Sequence, residues 1–145
     1  MNDKLNIFYA DDDQDDLDFF KLVIRKISNQ YEVITHMDGH QLMDALEFPS
    51  PIPHLVFLDI NMPKMNGLEV LKKLRASEKF RNLPVIMFST TDDSAIVQQA
   101  LELGASCYLP KPSGITELKE SIEQLLQRDW KTFVPNSVTF KYSSN

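Results

Sequence analysis

The chain has 145 residues, 43% of them hydrophobic and 25% charged, which describes one ordinary globular domain with a sizeable core. Fifteen basic against twenty-one acidic residues give a formal net charge of −6, so a broad surface for nucleic acid or anionic lipid is not expected. The single Cys107 forbids an internal disulfide, and no apolar stretch approaches a membrane span. The start, Met1-Asn2-Asp3-Lys4, lacks a signal-peptide pattern. The expectation is a cytoplasmic protein without membrane insertion.

Strand and helix patterns alternate along the chain. Leu5 to Ala10 is an apolar run ending in Asp11-Asp12. Leu17, Phe20, Ile24 and Ile27 then recur at helical spacing. Tyr31 to His36 alternates apolar with polar and predicts a half-exposed edge strand. Asp38 with Gln41 resembles a capping box for a short helix carrying Leu42 and Leu46. Pro49, Pro51 and Pro53 mark a loop. His54 to Leu58 is a buried run closed by Asp59, and Gly67 opens a helix with Leu68, Leu71 and Leu74 on one face. Val85 to Phe88 leads into Ser89-Thr90, and a helix is predicted from about Asp92 to Leu103, capped by Gly104. Cys107 to Pro110 leads into Lys111-Pro112, and Ile115, Leu118, Ile122 and Leu125 stripe the last helix.

Five strands alternating with five helices predict a doubly wound α/β fold. Right-handed crossovers and a polar second strand favour one parallel sheet in the order 2-1-3-4-5, the flavodoxin-like arrangement. Residues 1–128 form the expected domain and residues 129–145 a tail without an output domain. In the tail, Val138, Phe140 and Tyr142 alternate. They could add an edge strand, cover the domain's own surface or dock a partner; self-packing is favoured, because exposed aromatics are costly. Pro110 within the fifth strand predicts an exposed edge there.

In such a sheet the strand ends share one edge, where α/β folds bind ligands. Asp11, Asp12, Asp59, Ser89 and Lys111 would meet there. Six of the eight residues from Asp11 to Asp18 are aspartate. Asp13, Asp15, Asp16 and Asp18 read as a solvated helix start favoured by the helix dipole. Asp11 and Asp12 follow the strand directly, and with Asp59 they would repel one another unless they share a hard, oxygen-ligated cation such as Mg²⁺. His36 and His40 lack the further ligands that a zinc site needs. Asp59 could be a metal ligand or a nucleophile that forms an aspartyl phosphate, with the metal and Lys111 neutralising charge and Ser89 donating a hydrogen bond.

The segments Phe8-Tyr9-Ala10-Asp11-Asp12, Phe57-Leu58-Asp59-Ile60-Asn61-Met62-Pro63 with Gly67, Met87-Phe88-Ser89-Thr90, and Tyr108-Leu109-Pro110-Lys111-Pro112 resemble receiver domains of two-component response regulators, the CheY-like family. The resemblance covers roughly Leu5 to Arg128. It implies that Asp59 accepts a phosphoryl group from a sensor histidine kinase or phosphotransfer protein. It implies that Asp11, Asp12, Asp59 and the Asn61 backbone carbonyl hold Mg²⁺, that Ser89 is the switch hydroxyl, and that Lys111 binds the phosphoryl group. Tyr108 matches the aromatic that rotates inward on activation, and Pro112 the proline of a cis bond. Thr91 stands where the family varies and dephosphorylation is tuned. The resemblance also implies a downstream protein target that the sequence does not name.

Three rivals remain in view. A haloacid-dehalogenase-like phosphatase would need an acid two residues after the nucleophile, where Asn61 stands. An FMN-binding flavodoxin would place its phosphate loop among the aspartates, which would repel it. A degenerate receiver acting as a phosphorylation-independent binding module keeps the fold without the chemistry.

Overall fold

A computed structural model describes residues 4–48, 51–136 and 139–143. Apolar runs and helical stripes become, in chain order, β1 (Leu5–Ala10), α1 (Gln14–Ile27), β2 (Tyr31–His36), α2 (Gly39–Glu47), β3 (Leu55–Leu58), α3 (Gly67–Ala76), β4 (Val85–Ser89), α4 (Ser94–Glu102), β5 (Cys107–Pro110) and α5 (Ile115–Gln127). The five strands form one parallel sheet in the order β2-β1-β3-β4-β5, as the alternation predicts.

The central strands are buried on both faces, so they read as unbroken apolar runs. Their side chains nonetheless alternate. Phe8, Ala10, Val56 and Leu58 pack against the α2, α3 and α4 side, while Ile7, Tyr9, Leu55 and Phe57 pack against α1 and α5. Tyr9, Phe20, Phe57 and Phe88 form an aromatic cluster on the second side, with ring centroids 4.6–6.0 Å apart. Edge strand β2 has no fully buried residue, in keeping with its alternating sequence.

Local signals place most helix starts. Asp38 caps α2 by accepting from the Gln41 amide, but the Gln41 side chain bonds the Met37 amide rather than that of the cap. A reciprocal capping box forms instead at Asn66 and Glu69. Helix α4 starts at Ser94 rather than Asp92 because Asp93 is its N-cap, and Gly104 ends it with φ +97°.

The tail packs on its own domain. The Arg128 guanidinium lies 4.4 Å from the Phe133 ring centroid and 5.3 Å from that of Trp130. Tyr108 donates its amide to the Phe140 carbonyl, and the Tyr142 amide donates to the Tyr108 carbonyl. The result is one parallel bridge, Tyr108 with Lys141, rather than a strand. Phe140 and Tyr142 straddle β5: Phe140 is buried in the α3/α4-side core, and Tyr142 lies against the α1/α5-side core. A regular strand would put both on one face. Val138, the third residue of the predicted alternation, lies outside the described residues, as does Pro49 of the proline-rich loop. Strand β5 is the sheet edge, but the edge that Pro110 predicts to be exposed is partly covered, because the tail bonds Tyr108 on its outer side. Since Tyr108 bonds outward to the tail, the alternation of the backbone turns the donor that Pro110 lacks toward that same outer side.

Candidate functional site

The register brings the strand ends together. Ala10 pairs with Leu58, Leu58 with Met87, and Ser89 with Pro110. The next residue along β1, β3 and β5 is therefore Asp11, Asp59 and Lys111, beside Ser89 at the end of β4. Backbone hydrogen bonds carry the ladder past the strands, from Asp59 N to Ala10 O (3.0 Å) and from Lys111 N to Ser89 O (2.9 Å). Asp59 and Asp11 are buried at 6% and 0% exposure, whereas Asp12 is exposed.

Asp11, Asp12 and Asp59 each offer a carboxylate oxygen within 4.8 Å of the others. Opposite them, Lys111 Nζ lies 2.7 Å from Asp11 Oδ2, 2.8 Å from Asp16 Oδ2 and 3.6 Å from Asp59 Oδ2. Burial pushes the Asp59 carboxyl up to about 6; Lys111 opposes this, Asp11 reinforces it, and the Ser89 hydroxyl and Asn61 amide favour the ionised form. Burial alone would lower the Lys111 pKa, but hydrogen bonds to Asp11 and Asp16 and the charge of Asp59 outweigh it and hold the ammonium above its ordinary value.

Three carboxylates, those of Asp11, Asp16 and Asp59, thus face one lysine, and Asp12 completes the acidic cluster. The donor set is oxygen only, with no histidine or cysteine in the cluster among the described residues. That chemistry suits a hard divalent cation such as Mg²⁺ and not a soft metal. His36 is half-buried, its ring packs tilted against Phe8 at 5.6 Å, and its buried Nε2 has no hydrogen-bond partner among the described residues; His40 is exposed.

Ser89 is fully buried, and its Oγ accepts from the Thr91 amide at 3.3 Å. Tyr108 is also fully buried, with its hydroxyl donating to the Thr91 carbonyl and its ring packed on Phe140 at 6.3 Å. Asn61 Nδ2 donates to Thr91 Oγ1 at 3.1 Å, which ties the loop after β3 to the loop after β4. Pro112, next to Lys111, is half-buried.

Sequence reasoning missed two contacts. The Tyr9 hydroxyl donates to Asp11 Oδ2 at 2.6 Å, and burial with that carboxylate raises its pKa. The one available signal was a buried tyrosine, whose hydroxyl needs a partner. Asp16, predicted to be part of a solvated helix start, is half-buried and pairs with Lys111. Nothing in local periodicity marks it apart from Asp15.

The model of the response regulator receiver domain matches residues 7–123. A chemotaxis protein CheY homolog of Campylobacter jejuni subsp. jejuni is 38% identical over 95 residues, which cover 66% of this chain and 72% of that protein. Response regulator Rcp1 of Synechocystis sp. is 28% identical over 132 residues, 85% of this chain and 90% of that one. The crystal structure of the Mn²⁺-bound form of Rcp1 superposes with a TM-score of 0.77 at 25% identity, covering 92% of this chain and 99% of the other. The chain belongs to the receiver domain family of response regulators. No helix among the described residues is long and apolar enough to cross a membrane.

Proposed function

We propose that Asp59 accepts a phosphoryl group from a phosphohistidine of a sensor histidine kinase or phosphotransfer protein, and that the modified receiver switches its binding to a downstream protein. The observation that carries this reading is the position of the Asp59 carboxylate, buried at the end of β3 beside the Asp11-Asp12 pair and 3.6 Å from the Lys111 ammonium. An Asp59 oxygen attacks phosphorus, the P–N bond breaks, and the imidazole nitrogen leaves with the bonding pair. The transition state spreads charge over the phosphoryl oxygens, so positioning and electrostatics dominate. Mg²⁺, held by Asp11, Asp12, Asp59 and the Asn61 carbonyl, would neutralise part of that charge; the similar regulator Rcp1 has a Mn²⁺-bound form. Lys111 supplies a second positive charge and Ser89 a hydroxyl donor. In this reading the protein is a phosphoacceptor that catalyses only its own modification and its reversal.

Ser89 and Tyr108 carry the switch. Both are tied to Thr91, one through its amide and one through its carbonyl. A Ser89 hydroxyl drawn to a phosphoryl oxygen would free the Thr91 amide and change the seat of the Tyr108 hydroxyl. The phosphoryl group shifts that balance only through contacts that differ between the two states.

The test is mass spectrometry after incubation with acetyl phosphate. One phosphoryl adduct should form with Mg²⁺, vanish with EDTA, and be absent from Asp59→Asn. Equal labelling of that variant would sink the assignment. A parent that stays unlabelled would leave a receiver fold that binds partners without phosphorylation.

A further inference from the structure

We propose that Asp16 is a positioning residue for phosphoryl transfer: it tethers the Lys111 ammonium in the place from which it can meet a group on Asp59. The inference rests on Asp59 being the phosphoacceptor and adds a residue to that reaction.

An ammonium has three N–H donors. Two of those on Lys111 are used at hydrogen-bond length, 2.7 Å to Asp11 and 2.8 Å to Asp16. The third side faces Asp59 at 3.6 Å, beyond a hydrogen bond. The ammonium is thus aimed at Asp59 but not spent on it. The Phe88 ring, 5.6 Å from Nζ, closes another side.

The two anchors are not equivalent. Asp11 has other claims on it: Tyr9 donates to the same Oδ2, the Asp13 amide bonds its Oδ1, and it belongs to the three-carboxylate cluster suited to a cation. A cation shared by that cluster would draw charge from Asp11 and weaken its hold on the lysine. Asp16 lies outside the cluster. Among the described residues its carboxylate has Lys111 as its side-chain partner, and it sits on the first turn of α1, a rigid element whose cap is Asp13. Asp16 is the acceptor that stays with Lys111 when Asp11 does not. A lysine on a flexible four-carbon stem needs such an anchor, because it binds as a point charge without the fixed fork of arginine.

The alternative is a surface ion pair of no consequence, since pairs of this exposure are often worth little. Catalysis separates the two. The full chain is labelled with acetyl phosphate at saturating Mg²⁺, and the initial rate is compared between parent, Asp16→Ala and Asp16→Asn. A lysine misplaced by about an ångström should slow labelling by roughly tenfold in Asp16→Ala. Asp16→Asn keeps an acceptor oxygen and nearly the same shape, so it should recover part of the rate and guards against a folding defect. In a Lys111→Met background, Asp16→Ala should add no further slowing. Asp16→Ala labelling at the parental rate, or slowing it equally without the lysine, would overturn the inference while leaving Asp59 as acceptor. A parent that takes no label would overturn both.

Discussion

A Cβ added to Gly67 would lie 2.2 Å from the Asp59 carbonyl oxygen. The start of α3 is packed directly on the backbone of the candidate phosphoacceptor, and the Gly67 amide also bonds the Ile60 carbonyl. The obstacle is main chain, so it cannot swing aside. Gly67→Ala should cost about 1–3 kcal/mol through overpacking, read from urea midpoints, and should slow labelling of Asp59 by acetyl phosphate. Gly114 has nothing within 4 Å of an added Cβ, so Gly114→Ala serves as the control that leaves labelling unchanged.

Burial raises the Asp59 carboxyl from 3.8 to about 6. The folded protein then holds this proton more tightly than the unfolded chain, so its contribution lowers stability as pH rises from about 4 to 6. Below that window the penalty is absent, and above it the penalty is complete. Asp59→Asn does not titrate. Its advantage over the parent in EDTA should grow across that window and level off above pH 6, on the order of 3 kcal/mol. Denaturation midpoints at pH 4, 5, 6 and 7 read this directly, and an advantage that shrinks with rising pH would contradict the sign.

Asp12 is the exposed member of the carboxylate cluster. Removing it relieves repulsion that water already screens, so Asp12→Ala should gain no more than about 0.5 kcal/mol in EDTA. The same change removes a ligand. Mg²⁺ should raise the melting temperature of the parent with the logarithm of its concentration, and the variant should gain much less. A variant that melts lower in EDTA, or matches the parent's gain, would argue against a shared cation.

Phe140 is 2% exposed and packs on Tyr108, although it belongs to the tail beyond α5. Phe140→Ala should cost about 3 kcal/mol if the tail is part of the cooperative fold. Val134, 80% exposed in the same tail, should tolerate alanine within about 0.5 kcal/mol. Thermal melts of the two variants make the comparison, and equal, small losses would show that the tail is dispensable.

Strand order and the edge that bears the site were legible because each strand writes its own burial into its sequence. Unbroken runs such as Leu55–Leu58 mark strands covered on both faces, and the alternating Tyr31–His36 marks an edge. Once four such runs are parallel, the residues that follow them must share one edge, so Asp11, Asp59, Ser89 and Lys111 could be grouped without coordinates. Local side-chain rules likewise gave the α2 cap at Asp38 and the α4 stop at Gly104. The α2 box failed by one residue because the Gln41 side chain found the Met37 amide first.

The tertiary structure alone decided which neighbours share each functional group. The pairing of Asp16 with Lys111 spans 95 residues, and that of Tyr108 with Phe140 joins β5 to a segment beyond the last helix. Asp15 and Asp16 obey the same local rules, yet only Asp16 reaches the lysine, because the direction in which α1 leaves β1 turns that position toward the sheet edge. The amino-acid sequence by itself determined which charges gather at the carboxyl ends of the strands, since strand burial is written residue by residue. Which carboxylate holds the lysine, and which aromatic covers the β5 edge, depends on helix docking angles and side-chain reach, and neither leaves a period in the chain.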